Sequence, residues 1–394
     1  MDKKHIITPA QRIKSLDILR GYFLVVILIN HIELYPSGFD LFTGRGRLLV
    51  SAAEGFFFMS GLLVGMVYKR RLALGMRFIF RKMWKRAFQL YLGSVVLTLL
   101  FTALAIFLNH PTIKDGLYGV INWPHIIYES LLMRYGFGWA DFLDRFAILM
   151  FMAPFAFYLL ARGRWKLLAV ASLTAWAFRG NNFTLSWQIV FALGMGFGFY
   201  WHEFKGFLSR LSEATLKRLK LAIFSVAWIT FLLSYASVYL LSVLNQKLTQ
   251  LPLWLQHFTL GWNTVNADVW LYAQKWTMGP IRIVLFMVWF TALYLWVERH
   301  YDSINKYSKG FIELLGQNSL FVYITHAFIV FAFKFFIAPN TTLWQNFLIT
   351  AAALALLIVI TWAYKRYYGR DSAVHKKVAH IKRNYLKIET VKSS

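Results

Sequence analysis

The chain has no cysteine. No disulfide framework, thiolate nucleophile or cysteine-ligated metal can be built from it. Charge is scarce: 15% of the 394 residues are Asp, Glu, Lys or Arg, where a soluble domain carries about 25%. Acid is scarcer still, with 17 Asp and Glu against 43 Lys and Arg. There is no HExxH helix, CxxC pair or GxxxxGK[ST] loop, and no serine in a nucleophile-elbow setting. Zinc-peptidase, thiol-redox, P-loop and α/β-hydrolase chemistry have no motif to stand on. What is there is apolar: 58% hydrophobic, 19% aromatic, with a mean hydropathy of +0.51. Such a composition excludes disorder and points to a membrane protein.

Apolar runs of membrane-crossing length recur about ten times. They lie near 16–35, 48–68, 87–108, 142–161, 165–178, 184–201, 220–243, 280–298, 318–338 and 343–364. The expected fold is all-α and polytopic, one integral-membrane domain over 1–394. Two longer connections, 109–141 and 244–279, hold aromatic, partly amphipathic stretches such as "WPHIIYESLLMRYGFGW". They read as interfacial helices or re-entrant loops. With both termini cytoplasmic, the N-terminus, 69–86, 162–166, 202–220, 299–310 and a basic tail at 365–394 fall inside and hold most of the Lys and Arg. The outer segments keep few, among them Arg45, Arg47, Lys114, Arg134, Arg179, Lys247 and Lys275. The positive-inside rule thus accounts for the +26 charge, and nucleic acid is not needed as a partner. "VSAA" after the first run imitates a signal-peptidase site, but the run reads as a retained helix.

Polar residues break these runs at particular places. In "SLDILRGYFLVVILINH", Arg20 and His31 are eleven residues apart. Eleven helical steps return to nearly the same face about 16 Å further on. Asp17 lies one turn below Arg20. Capping, snorkelling and interfacial anchoring would explain these residues singly. An imidazole inside a span more often faces a cavity. Glu54, near the outer end of the second run, is expected at the level of His31, where a carboxylate could orient the ring. Asp144, Arg145 and Arg282 sit on outer turns of later runs, and "LGQNSLFVYITHAF" carries Asn318, Ser319, Tyr323 and His326. Together they suggest a polar cavity open to the outside. "YKRR" (68–71) and "RFIFRKMWKR" (77–86) read by default as a solvated inner loop. Their density, with Arg81, Lys82 and Arg86, could also hold a phosphorylated cosubstrate. Gly61 and Gly65, and Gly194, Gly196 and Gly198, read as helix-packing positions; the second set lies within a span and not after a strand, so it is not a dinucleotide site.

"SLDILRG" with its following His, then "AAEGFFFMSG", "RAFQLY" and "LGQNSLFVYITH", resemble in sequence and order the membrane acyltransferases of the acyltransferase-3 superfamily, related to the heparan-α-glucosaminide acetyltransferases. "NNFTLSWQIVFALG" (181–194) resembles the Asn-Pro-x-x-Trp-Gln stretch, and "MGPIRIVLF" the Pro-x-Arg segment, of the OpgC family, which succinylates osmoregulated periplasmic glucans. Thr184 stands where that stretch has Pro. Gln89 and Met83 stand where relatives often have Pro and Arg, and Asp144–Arg145 where an apolar pair is expected. The departures leave the acyl group and the acceptor open.

The resemblance implies transfer of an acyl group from an acyl-CoA, succinyl-CoA or acetyl-CoA, to a hydroxyl of an extracytoplasmic glycan, with no metal required. It implies His31 as general base with Glu54 beside it. Asp17, Arg20, Arg81, Lys82 and Arg86 are expected on the donor side. Asp144, Arg145, Trp187, Gln188, Arg282, Asn318, Tyr323 and His326 are expected around the substrate. Expected partners are the acyl-CoA, the glycan, the bilayer and, compatible with the architecture, a second copy in a homodimer. A transporter or flippase of an envelope glycan or lipid intermediate is the alternative; a non-catalytic scaffold is disfavoured by the clustered ionisable groups.

Overall fold

A computed structural model describes residues 13–108, 122–138, 141–337 and 342–368. Most of the expected tail, and part of the 109–141 connection including Lys114, lie outside the described residues. All ten apolar runs are helical. In chain order the helices are α1 (Lys14–Ile32), α2 (Phe39–Thr43), α3 (Ala52–Lys69), α4 (Met76–Leu108), α5 (Trp123–Leu131), α6 (Asp141–Ala161), α7 (Trp165–Ala177) and α8 (Phe183–Phe199), then α9 (Trp201–Leu208), α10 (Glu213–Gln246), α11 (Leu253–Tyr272), α12 (Pro280–Arg299), α13 (Tyr301–Tyr307), α14 (Phe311–Gln317), α15 (Ser319–Phe336) and α16 (Leu343–Tyr368).

Seven of these, α1, α4, α6, α10, α12, α15 and α16, are long and apolar enough to cross a membrane; α8 with α9 makes an eighth if that pair, bent by 67°, is one span. The expected count of ten therefore falls to seven or eight by length and hydropathy. α3 has only 18 residues, with Glu54 and Lys69 among them. α7 has 13, about 20 Å of helix against a hydrocarbon core of about 30 Å. The segment 77–86 is also corrected: it forms the first turns of the 33-residue α4 and is not a loop. Arg, Lys and Met, six of its ten residues, are good helix formers, and it has no Gly or Pro to end the helix.

Depth in the bundle differs sharply between helices. The apolar stretch of α1 is 72% buried, that of α10 only 11%. α1 is thus the central post. Exposed Leu221, Trp228, Ile229, Leu232 and Leu233 of α10 are what a lipid-facing helix presents. One contiguous apolar core joins α1, α3, α4, α6, α8, α12, α15 and α16.

Glycine fixes the closest crossings. A Cβ on Gly61 would lie 2.1 Å from the Phe191 carbonyl oxygen, and on Gly65 2.2 Å from that of Met195. From the other side, Gly194 would meet Phe58 at 2.1 Å and Gly198 would meet Leu62 at 1.9 Å. α3 and α8 therefore pack backbone to backbone through two facing small-xxx-small pairs. Residue numbers rise together along the contact, so the two helices run parallel. Gly196 has nothing within 4 Å and takes no part. α1 crosses the short α14 in the same manner, Gly21 against Ile312 and Gly316 against Asp17.

Candidate active site

α1 and α15 form a second parallel pair, and its rungs are polar. Arg20 donates to the Ser319 hydroxyl. His31 Nδ1 lies 3.1 Å from His326 Nε2. Past these, Lys334 bonds Glu33 at 2.7 Å. The order 20–319, 31–326, 33–334 climbs both helices in one direction, so the stripe read along α1 has a matching stripe on α15. Asn318, whose side chain donates to the Leu314 carbonyl, sits at the α14–α15 break.

At the Arg20 end lies a cavity of about 1740 Å³. Asp17 and Arg20 come from α1, Arg70 and Arg71 from the end of α3, Lys82, Lys85 and Arg86 from α4, Lys309 from the α13–α14 turn, and Lys365 and Arg366 from α16. Asp17 is the carboxylate among these cations. Three segments expected on one membrane face thus meet at one end of the bundle. Helical spacing in α4 selects Lys82, Lys85 and Arg86 for the cavity and turns Arg81 to the exposed side. Asn318, Gln317 and Gln89 add neutral donors and acceptors; Ser60, Phe146 and Met150 mark its deeper wall. So dense a set of donors suits an anionic ligand.

Between this cavity and the histidines lies an aromatic layer. Phe146 contacts Phe142 with ring centres 6.3 Å apart, Phe142 contacts Tyr323 at 5.3 Å, and Tyr323 contacts His326 at 4.6 Å. Trp187 is fully buried there, stacked on Phe183 at 4.6 Å and against Phe57 at 5.0 Å. The Arg145 guanidinium covers the other face of this stack, 3.9 Å from the Phe183 ring centre. Asp144 accepts from the Ser94 hydroxyl, tying α6 to α4. Gln188 points away from all of these: its amide exchanges two 2.7 Å hydrogen bonds with Ser172 on α7.

Glu54 is not beside His31 in hydrogen-bonding terms. One oxygen accepts from the Ser51 N–H at 3.0 Å and the Ser51 hydroxyl at 2.5 Å; the other accepts from Arg282 at 2.5 Å. Arg282 also donates to the carbonyls of Ala273 at 2.7 Å and Leu48 at 3.3 Å. Both side chains are fully buried. The expected orienting carboxylate is therefore a capping-box residue paired with a cation, and it clamps the N-terminal ends of α3 and α12. The pattern S-x-x-E, legible at 51–54, is the signature of such a cap. The "VSAA" that imitates a cleavage site is the same cap.

Sequence reasoning passed over two participants. Ser319 stands in its run with nothing to mark Arg20 as its partner, because no periodicity links residues so far apart. Lys275, in the turn before α12, is half-buried and faces His31, Glu54 and Arg282. Burial lowers its ammonium pKa, and the nearby Glu54 carboxylate offsets only part of that. Among the described residues no group of three or more His, Asp or Glu is placed to hold a metal ion.

No curated protein and no solved structure matches the chain. A family model described as "OpgC protein" matches residues 12–369, which takes in the Arg20–His31 stripe, the basic cavity, the α3–α8 glycine contact and the Ser319–His326 ladder. The chain is a multi-span helical membrane protein that belongs to the OpgC family.

Proposed function

We propose that the protein is an O-acyltransferase that moves an acyl group, most readily succinyl, from an acyl-CoA to a hydroxyl of a glycan across the bilayer. One observation carries the reading: the basic cavity opens at the foot of the stripe that ends, about 16 Å further along α1, at His31. Cations at the cavity would hold the phosphates and adenosine end of the donor, with Arg20 nearest the stripe. The thioester end would run along α1 toward His31. There the acceptor hydroxyl gives its proton to His31 as its oxygen attacks the thioester carbonyl. The tetrahedral intermediate collapses, the thiolate leaves, and the proton on His31 goes to that sulfur. Arg282 is committed to Glu54; Lys275, which faces His31, is the cation we assign to an oxyanion or the carboxylate of a succinyl group, with Arg145 over the Phe183 ring as part of the surrounding positive charge. The buried Trp187 backs an aromatic wall whose half-buried Phe183 edge is the part left for a sugar ring, Asp144 and Tyr323 add polar groups beside it, and Asn318 lies at the donor cavity.

In this reading 1–394 is one integral-membrane domain, all ten expected spans cross, and both termini are cytoplasmic. Parity supports it. Two spans run parallel only when an odd number of crossings separates them. α3 and α8 are parallel, and α4, α6 and α7 lie between. The short α7 is therefore a crossing, its flanking Arg164, Lys166 and Arg179 reaching to the interfaces. α1 and α15 obey the same rule. The little-buried α11 then lies along the outer surface.

Purified protein given radiolabelled succinyl-CoA or acetyl-CoA and glucan tests the reading. The wild type should label the glucan, and His31→Ala should lower transfer by about 100-fold or more. Full transfer by His31→Ala sinks the mechanism. No transfer from any thioester favours a transporter.

A further inference from the structure

The hydrogen bonds of the two histidines can be read from one end. His326 Nδ1 faces the backbone carbonyl of Tyr323. A carbonyl only accepts, so Nδ1 of His326 carries a proton. In a neutral ring, Nε2 of His326 is then a bare lone pair. That lone pair lies 3.1 Å from His31 Nδ1, so Nδ1 of His31 donates to it. Nε2 of His31 is left without a proton. We propose that His326 is a positioning residue that locks His31 into the Nδ1–H tautomer and so presents Nε2 as the base. This rests on the reading of His31 as general base.

The arrangement is well held. His326 is 1% exposed, while His31 is partly open. The neighbouring rungs, Arg20–Ser319 and Glu33–Lys334, fix the register of α1 on α15. Glu54, the carboxylate expected from the sequence to orient His31, is spent on Ser51 and Arg282, and Glu33 is paired with Lys334. Two neutral rings ending on a carbonyl orient a base without placing a fixed charge in the span, where charge is costly. They also provide for the proton. When His31 Nε2 takes the proton of the acceptor hydroxyl, the Nδ1 proton can pass to His326 Nε2. His31 is then neutral again and His326 is an imidazolium. When the thiolate leaves, it takes the proton held at His31 Nε2, and His326 returns its proton to His31 Nδ1.

Nitrogen-15 spectra of histidine-labelled protein in lipid nanodiscs, with His31 assigned by difference from His31→Asn, test this directly. The wild type should show His31 with Nδ1 protonated and Nε2 bare. His326→Gln, whose amide oxygen can accept the same bond, should keep that tautomer; His326→Leu should lose it. In transfer assays His326→Leu should lower kcat by about 100-fold with KM for the thioester changed by less than about threefold, and His326→Gln should restore most of the rate. A wild-type His31 protonated on Nε2, a fully active His326→Leu, or a glutamine variant no better than leucine would each overturn the proposal. If both variants fail to fold, the wild-type spectrum still decides. If the wild type transfers nothing from any thioester, the acyltransfer reading fails, and the spectra still report on the tautomer.

Discussion

Glu54→Gln changes one buried charge and little else. Glutamine also serves at the third position of a capping box, so the bonds from Ser51 can be retained. Arg282 keeps its bonds to the Ala273 and Leu48 carbonyls but loses its carboxylate partner, in a place where it is 1% exposed and Glu54 0%. Breaking a buried pair from one side costs about 3–5 kcal/mol, because a charge is left without compensation. Glu54→Gln should therefore destabilise by about that amount. Arg282→Met should cost more, since it strands the carboxylate and frees two carbonyls at about 1–3 kcal/mol each. The double variant removes both charges and should be less damaged than Arg282→Met alone. Unfolding in mixed micelles with rising denaturing detergent measures all four proteins. The expected coupling is about 3 kcal/mol or more, far above the ~0.5 kcal/mol of independent sites. Additive losses, or a Glu54→Gln within about 0.5 kcal/mol of wild type, would refute the account of Glu54 as a structural clamp.

Gly61→Val and Gly194→Val should force α3 and α8 apart and abolish most folded protein on size-exclusion chromatography, whereas Gly196→Ala, with open space around it, should be neutral or raise the melting midpoint slightly. Replacing Lys82, Lys85 and Arg86 together by Gln should raise KM for the acyl-CoA at least tenfold and weaken its salt dependence, with KM for the glycan unmoved; Arg81→Gln should do neither. The α2 segment should respond to acid through Asp40. Burial raises that carboxyl's pKa, but the Ser37 N–H and the Arg45 guanidinium outweigh it, leaving the pKa below the ordinary value. A depressed folded pKa stabilises above the unfolded value of about 3.9 and loses that contribution as pH falls through the folded one. The melting midpoint of the wild type should therefore drop more steeply below about pH 4 than that of Asp40→Asn; parallel curves would show that Asp40 adds nothing.

Much was legible in the residues. The apolar runs located ten of the helices, though α4 starts at Met76 and α10 at Glu213, ahead of their runs, and the 20-residue α11 falls in the 244–279 connection and matches no run. Gly61, Gly65, Gly194 and Gly198 were readable as close-packing positions because the i, i+4 spacing of small residues has one obvious use in a helix. Arg20 and His31 were readable as a stripe because helix periodicity is local. The span count was less secure: α3 is thinned by Glu54 and Lys69 and α7 is only 13 residues long, so hydropathy alone passes over both. Partnership was not legible. Glu54 and Arg282 were each singled out, yet Glu54 was matched with His31, since level in the membrane is a one-dimensional guide and the bond depends on which faces meet.

By itself, then, the sequence determined an all-helical membrane chain, the segregation of its basic residues into a few segments and the stripe from Arg20 to His31. These follow from hydropathy, charge and the helical repeat, which act over a few turns. Tertiary structure alone decided that His31 answers to His326, that Arg20 meets Ser319 and that basic residues from four separate helices close around one cavity. Those pairings lie about 300 residues apart, 295 for the histidines and 299 for Arg20 and Ser319. They exist because α1 and α15 pack side by side in the register that these polar rungs hold, with α14 against α1 through Gly21 and Gly316, and no local periodicity encodes that register.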